Sequence, residues 1–499
     1  MADIENLVYT PGGVRELDRI AIEELGIAGY ALMTRAGEAA FTQARTRFPN
    51  AQRWLVVCGA GNNAGDGYVI ARLACAANLE VTVAALSAPG ELQGDAQKAW
   101  RDYRAQVGGS TQPVVAFHES LCTNADLIID AVLGTGIGRP LSGAYLEAVQ
   151  AMARARAPIV AVDVPSGLNS ATGEVMGCAV KASVTVTFVG LKQGLFLGAG
   201  PEHAGDICFS DLSIPAATAA RVAPTLRIFA ARDLHELLPL RSATAHKGRF
   251  GHVLVVGGNH GMAGAARLAG EAALRSGAGL VSIASRPETI NAITASRPEL
   301  MCHAINSVDD LEALLMRASV IALGPGLGQD DWAKALFRRI LECPQPKVLD
   351  ADALNLLAEN PARREDWILT PHPGEASRLL GLTTGKIQAD RLAALHSLAE
   401  SYGGISVLKG RCTLIGAADR LPYLIDRGNP GMATAGMGDV LTGLTAGIIA
   451  QFPASLQKGA AAAAYAHALA GDRAASSGQR GLIATDLFAE LRPILNPDA

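Results

Sequence analysis

Several short stretches of this 499-residue chain set a carboxylate or a basic group beside glycine, a pairing suited to moving a proton next to a bound anion. The most telling runs from Asn429 to Gly443 and contains Gly436-Met437-Gly438-Asp439, after which the sequence is apolar and rich in small residues through Ile449. A glycine turn feeding a helix leaves backbone N–H groups unpaired at a positively polarised end, where phosphate binds readily. A phosphate held there would repel Asp439. The residue therefore reads either as a base facing a substrate hydroxyl or as a plain helix cap. Lys409-Gly410-Arg411-Cys412-Thr413 follows the apolar run Ile405 to Leu408. Lysine with glycine at a strand end can hold a phosphate by charge while the backbone comes close, although a solvated Lys409 fits the same pattern. In Thr370-Pro371-His372-Pro373-Gly374-Glu375 the histidine is bracketed by prolines, which keeps it out of a helix interior and stiffens its loop. It can position a ligand or sit in a surface turn.

The first half carries its own set. The strand-like Trp54 to Cys58 empties into Gly59-Ala60-Gly61-Asn62-Asn63-Ala64-Gly65-Asp66-Gly67, ahead of a helical stretch from Tyr68 to Ala77. Strand, glycine loop and helix in that order build phosphate or nucleotide sites, but here two Asn and an Asp fill positions that the dinucleotide fingerprint leaves to bare backbone. Asn amides can bind a ribose or nicotinamide edge, or a hard cation; they also suit a simple turn. Leu127 to Asp130 is the next carboxylate-bearing strand end, followed by Gly134-Thr135-Gly136-Ile137-Gly138-Arg139-Pro140, and Ile159 to Val162 leads into Asp163-Val164-Pro165-Ser166. Three successive strand ends thus present Asp66, Asp130 and Asp163. A shared pocket explains three better than turn chemistry does.

The elements that must carry these residues alternate strand and helix, so each sheet should be largely parallel with helices on both faces. The spacing predicts helices over 14–25, 30–47, 93–106 and 142–155 and further strands over 81–86, 184–189 and 207–209. A second strand, glycine loop and helix begin at His252 to Val256 and Gly257-Gly258-Asn259, with Val320 to Leu323 ending in Gly324-Pro325-Gly326-Leu327-Gly328 and Lys347 to Leu349 in Asp350-Ala351-Asp352. The fold class expected is α/β in two domains: a Rossmann-like parallel-sheet domain over 1–222 and a second α/β domain over 223–499, joined within the Pro-, Ala- and Thr-rich stretch Pro215 to Ala231. No residue-by-residue repeat relates the halves.

Composition narrows the class. An apolar fraction of 49% with 18% charged residues describes a globular protein, and a net charge of −4 argues against a general nucleic-acid surface. The chain opens without a secretion signal and no apolar run is long enough to span a bilayer, so a cytoplasmic protein without membrane partners is expected. Eight cysteines are scattered singly with no Cys-x-x-Cys pair, which fits reduced thiols.

Taken in order, Gly59 to Gly67, Asp130 with Gly134 to Pro140, and Asp163-Val164-Pro165-Ser166-Gly167-Leu168 resemble the NAD(P)H-hydrate epimerase family. The downstream set, Gly257-Gly258-Asn259, Gly324 to Gly328, Thr370 to Glu375, Lys409-Gly410 and Gly436 to Asp439, resembles the ADP/ATP-dependent NAD(P)H-hydrate dehydratases of the ribokinase-like superfamily. Ala64 stands where the first family often has Gly, and Met437 replaces the Ala of related sugar kinases; neither change removes a polar group.

The resemblance implies a fold and a chemistry. The second domain would be ribokinase-like, and the substrates NADH or NADPH hydrated at C6 of the dihydronicotinamide ring, in R and S forms. The first domain would interconvert them. Asn62, Asn63, Ala64, Gly65, Asp66 and Gly134, Thr135, Gly136, Ile137, Gly138, Arg139, Pro140 would surround the substrate, with Asp163 the acid/base and a potassium ion on Asn63, Asp130 and Ser166. The second would dehydrate the S form at the expense of ADP with magnesium, giving NAD(P)H, AMP and phosphate. Ala265, Gly326, His372 and Asp439 would hold the hydrate, Lys409, Gly410, Arg411, Cys412, Thr413 and Gly438 the nucleotide, and Asp439 would act as base. A homo-oligomer is expected. Two alternatives remain at this point, a ribokinase-like small-molecule kinase with an accessory domain and a non-catalytic scaffold. Retention of Asp66, Asp130, Asp163 and Asp439 counts against the scaffold, because buried charges are costly without a task.

Overall fold

The computed structural model describes residues 4–107 and 114–496. The chain divides into two compact units, Met1–Leu226 and Arg227–Ala499. Among the described residues no helix is long and apolar enough to cross a membrane.

The first unit is built on seven strands, all paired in parallel, in the spatial order Val114–Ala116, Glu80–Ala85, Arg53–Cys58, Leu127–Ala131, Ile159–Val162, Val184–Phe188 and Asp206–Ser210. Successive strands run outward from Arg53–Cys58 and then resume on its other side at Leu127–Ala131, which makes a topological switch point between those two. Their carboxyl ends are Cys58 and Ala131, so the loops beyond them, Gly59 onward and Val132 onward, flank the crevice where open sheets of this kind bind ligands. The inner strands are buried on both faces, as expected for β-branched runs covered by helices on each side, and the two edge strands are partly exposed.

Two local expectations are corrected. The helix opening the chain spans Pro11–Arg19 and continues as a wider π-type turn over Ile20–Glu24. Thr10 caps it by accepting a hydrogen bond from the Gly13 N–H at 3.0 Å, and Pro11 at the first helical position costs nothing because its missing N–H would have been unpaired there. The glycine–asparagine loop is also shorter than expected: helix already begins at Asn62 and runs to Ala76, with Gly61 as its extended cap.

The second unit repeats the strand order. Met301–Ala304, Leu280–Ser285, His252–Val256, Val320–Leu323, Lys347–Leu349, Trp367–Leu369 and Ile405–Leu408 are parallel, and Thr413–Gly416 and Tyr423–Ile425 extend the sheet antiparallel. Its switch point lies between His252–Val256 and Val320–Leu323, whose loops clasp each other: Gly258 N–H donates to Pro325 O at 2.9 Å and Asn259 N–H to Gly326 O at 2.7 Å.

Two helices cross this unit side by side, Ala263–Arg275 and Met437–Gln451. The second is buried almost all round, the mark of a central helix. Its Gly443 and Gly447 lie one turn apart, and an added Cβ would stand 2.0 Å from Ala269 O and 1.9 Å from Ser276 Oγ respectively. Glycine is therefore what lets the two backbones approach this closely. The N-terminal ends of the pair carry Ala265 and Asp439 to the carboxyl edge of the sheet.

Candidate functional site

The candidate residues of each unit gather at the carboxyl edge of its own sheet. In the second unit Asp350 follows the strand Lys347–Leu349 and is 2% exposed. Its carboxylate is fully engaged: Oδ1 accepts from Lys409 Nζ at 2.7 Å and from Thr370 Oγ1 at 2.8 Å, while Oδ2 accepts from Thr442 Oγ1 at 2.7 Å. Burial alone would raise its pKa, but Lys409 and these hydrogen bonds hold it below the ordinary carboxylate range. Lys409 answers in kind. Desolvation works against its charge, yet Asp350, Glu375 and Asp439 keep the ammonium's pKa above its usual value. Ala351 then turns the chain through φ 47°, ψ −116°, a conformation that costs a non-glycine residue about 1–3 kcal/mol. That turn sends Asp350 to Lys409 and Asp352 the other way, where its Oδ2 accepts from the Gly328 N–H at 2.8 Å.

Asp439 stands in the first turn of Met437–Gln451, behind Gly436 in the left-handed region at φ 88°. Its carboxyl makes no hydrogen bond among the described residues and caps nothing. Burial, with Asp350 and Asp352 adding repulsion against the pull of Lys409, raises its pKa to about 7. Gly438 leaves room beside it: a Cβ there would lie 3.4 Å from Lys409 Nζ and 3.5 Å from Asp350 Oδ2. An ammonium, an open helix N-terminus and a carboxyl poised near neutrality therefore converge on one spot.

His372 borders it. Its Nδ1 accepts from the N–H groups of Gly374 at 2.9 Å and Glu375 at 3.3 Å, capping the helix Pro373–Leu380, and Glu375 returns a bond by accepting from the His372 N–H at 2.7 Å. A ring nitrogen accepting two backbone protons cannot itself be protonated, which assigns the neutral form with hydrogen on Nε2. Desolvation and then Lys409 hold its pKa below the usual histidine value, in agreement. Across the switch point Gly326, at φ 60°, packs against Met262 and Ala265, so near that an added Cβ would stand 3.2 Å from the Ala265 Cβ.

After Lys409 the chain turns tightly. Gly410 has φ 139° and Cys412 φ 54°, and the buried Arg391 donates to the carbonyls of Leu408, Lys409 and Cys412 at 3.0–3.5 Å, fixing the loop from beneath. Thr413 Oγ1 donates to Gly410 O at 3.0 Å, and Arg411 reaches Gly428 O.

In the first unit Asp163 adopts φ 70°, unusual outside glycine, and its N–H donates to Val186 O at 2.7 Å. It is ion-paired with Lys192, which is 2% exposed and also donates to Phe188 O at 2.7 Å and Thr187 Oγ1 at 3.1 Å. Asp66 lies in the same electrostatic neighbourhood. Burial, then Asp163 and Asp18, push its pKa well above the carboxylate range, against the pull of Lys192. Asp18, on the helix Pro11–Arg19, belongs to the cluster too; burial chiefly raises its pKa to about 6. Gly134 packs against this group, since a Cβ there would lie 3.3 Å from Asp163 Oδ2 and 3.7 Å from Asn63 Oδ1. The rest of its loop, Thr135 to Pro140, is half-buried or exposed, and Thr135 O accepts from Ser170 Oγ at 3.3 Å. Ala64 and Gly65 are buried at the foot of the helix that begins at Asn62.

Beside them sits a second polar group. Asp130 is fully buried; its Oδ2 accepts from the Ser166 N–H at 2.8 Å and its Oδ1 from Ser166 Oγ at 2.6 Å, yet burial still lifts its pKa to about 6. Asn63 Oδ1 and Nδ2 are both buried with no hydrogen-bond partner. An orphaned amide, a desolvated carboxylate and a hydroxyl are the oxygen donors that a hard cation takes.

Sequence reading did not single out Lys192, Asp18, Thr442 or Arg391. Lys192 lies 29 residues beyond Asp163, and a buried lysine cannot be told from a surface one by type. Asp350 stood out only as an acid at a strand end.

Both units have counterparts among known proteins. A family model described as NAD(P)H-hydrate dehydratase matches residues 253–493, and one described as YjeF-related protein N-terminus matches residues 29–194. A protein of Coxiella burnetii named bifunctional NAD(P)H-hydrate repair enzyme Nnr is 48% identical over 492 residues, covering 98% of this chain and 100% of that one. An Escherichia coli protein of the same name is 42% identical over 499 residues, covering 99% and 95%. The solved structure of a ribokinase-like superfamily protein from Enterococcus faecalis is 30% identical with a TM-score of 0.51, covering 55% of this chain and 96% of that one.

Proposed function

Since the chain belongs to the family of bifunctional NAD(P)H-hydrate repair enzymes, we propose that its two switch-point sites act in succession on the same hydrated coenzymes. The enzyme is an NAD(P)H-hydrate epimerase in its first unit and an NAD(P)H-hydrate dehydratase in its second. Which residues do the work is our reading of the geometry.

In the first site Asp163 and Asp66 divide the roles. Asp163 meets the ammonium of Lys192, whereas burial and the neighbouring carboxylates favour the protonated form of Asp66, so the pair offers a base and an acid at one crevice. The acid assists departure of the C6 hydroxyl as water, the ring nitrogen supplies the electron pair that replaces it, and water returns to either face with its proton passing to a carboxylate. Asn62 to Asp66 and Gly134 to Pro140 surround the ring. A potassium ion fits Asn63, Asp130 and Ser166; there it would neutralise Asp130 and fix the loop after Leu127–Ala131 beneath the substrate.

In the second site the task is to make a poor leaving group a good one. Lys409, Gly410 to Thr413 and the amides at Gly438 hold the phosphates of ADP, while Ala265, Gly326 and His372 position the S hydrate. Asp439 takes the proton of the C6 hydroxyl as its oxygen attacks the terminal phosphorus, and the bond to the bridging oxygen breaks, releasing AMP. The C6–O bond then breaks with loss of a proton from C5, giving phosphate and the restored dihydronicotinamide. Among the described residues no three carboxylate, His or Cys groups gather to hold a metal, and Asp350 already accepts three hydrogen bonds. Magnesium would therefore be bound mainly through the ADP phosphates, where it offsets their charge.

One observation carries this reading: a carboxyl with pKa near 7, free of hydrogen bonds among the described residues, beside an ammonium and an open helix N-terminus. Purified protein given R and S hydrates with ADP and magnesium should restore the full dihydronicotinamide absorbance. Restoration of the S share alone would remove the epimerase assignment, and accumulation of a stable phosphorylated product would point to a kinase.

A further inference from the structure

At the opposite edge of the second unit's sheet, beyond the amino ends of its strands, lies a cavity of about 710 Å³ that the repair chemistry does not use. Four arginines are among its lining residues, Arg241, Arg249, Arg275 and Arg492, and the lining holds no Asp or Glu. Only Arg275 has an acid partner, Glu271 at 3.4 Å; the other three have none among the described residues. The positive surplus is local, since the whole chain carries a net charge of −4.

The group is also built rather than scattered. Arg241 donates to two neutral acceptors, Gly277 O at 2.6 Å and Gln451 Oε1 at 2.8 Å, and stacks with its guanidinium carbon 3.7 Å from the centre of the Phe250 ring. Gly277, at φ 102°, is required for that placement, because a Cβ there would stand 2.3 Å from the Arg241 guanidinium. Partial desolvation lowers the pKa of Arg241, which is exposed on one side and has no acidic partner among the described residues. Positive charge gathered along a concave, partly apolar wall attracts anions, and planar guanidinium groups match phosphate oxygens two at a time. The space available suits a coenzyme- or nucleotide-sized ligand.

We infer that this cavity is a second anion site, taking a ligand with two or more phosphate groups, separate from the Asp439 cleft. Arg249 and Arg492, both exposed, meet the phosphates, and Arg241 is held in place by Gly277, Gln451 and the Phe250 ring. Helix Met437–Gln451 ends here at Gln451 and begins at the catalytic turn, so the two sites occupy opposite ends of one element.

The test uses the full chain and inorganic tripolyphosphate. Isothermal titration should show an equivalent bound per chain that is lost, or weakened at least about tenfold, in the double variant Arg249→Glu with Arg492→Glu, while the variant keeps its ADP-dependent dehydration rate. Crystals soaked in tungstate should give anomalous density within hydrogen-bond reach of Arg249 and Arg492. Equal affinity and stoichiometry in both proteins, or density confined to the Lys409 region, overturns the inference and leaves the repair mechanism untouched.

Discussion

Replacing Asp439 by Asn keeps shape and volume while removing the base, and the surroundings dictate the outcome. The wild-type carboxyl has a pKa raised to about 7 and makes no hydrogen bond among the described residues, so no structural bond is lost with it. Lys409 keeps both Asp350 and Glu375 as partners. Nucleotide affinity should therefore hold or improve, because the substitution deletes a negative charge beside bound phosphate. What disappears is proton transfer, which contributes on the order of 10²–10⁴ in rate, equivalent to about 3–5 kcal/mol of barrier. Acting as a base requires the ionised form, which prevails above the raised pKa. In the wild type kcat/KM for dehydration should then climb about tenfold per pH unit below about 7 and level off above it. The variant should lose both the rate and this acid limb. Stopped assays of restored coenzyme across pH 5–9, with equilibrium nucleotide binding alongside, read every element. A residual rate above about a tenth of wild type, an acid limb that survives in the variant, or collapse of nucleotide binding would refute the reasoning.

Other perturbations are equally specific. Lys409→Met leaves Asp350 buried and short of its cation, so we expect a stability loss of about 3–5 kcal/mol in denaturant unfolding together with weak ADP binding; a stable variant that binds ADP normally contradicts the assigned role. Lys192→Met should slow epimerisation at least a hundredfold while the S hydrate is still dehydrated at the wild-type rate, measured with separated epimers. Asn63→Ala should abolish a potassium-dependent rise in the unfolding temperature of the first unit, a rise that sodium does not reproduce; equal potassium response in both proteins removes the ion from this site. Gly443→Ala gains about 1 kcal/mol of helix propensity but drives a Cβ to 2.0 Å from the Ala269 carbonyl. Overpacking costs about 1–3 kcal/mol, and backbone cannot step aside cheaply, so chemical unfolding should show net destabilisation.

Much of this architecture was legible because parallel sheets write themselves plainly. Ile159–Val162, His252–Val256, Val320–Leu323 and Ile405–Leu408 occupy the residues expected from their apolar runs alone. Glycine-rich strand ends pointed to Asp130, Asp163 and Lys409, and a glycine turn opening a helix to Asp439, for a physical reason: close approach of a ligand to backbone demands glycine, and glycine is visible in sequence. Groups that act through burial were hidden. Lys192 and Asp18 reach Asp163 from other elements, and only tertiary packing tells a buried lysine from a solvated one. The start of the helix at Asn62 was misjudged for a related reason, since Asn62 to Gly67 has loop composition but is held helical by its place at the switch point. The first helix likewise starts ahead of Val14, at Pro11, because proline and two glycines carry no apolar periodicity to mark an opening turn.

The central claim is that two independent sites handle one damaged coenzyme in turn, and complementation measures this directly. Mixed R and S hydrates with ADP and magnesium are given to Asp163→Asn protein, to Asp439→Asn protein, and to an equal mixture of both. We predict recovery of only the S share with the first, none with the second and complete recovery with the mixture. A mixture that restores no more than the Asp163→Asn protein alone would contradict the account.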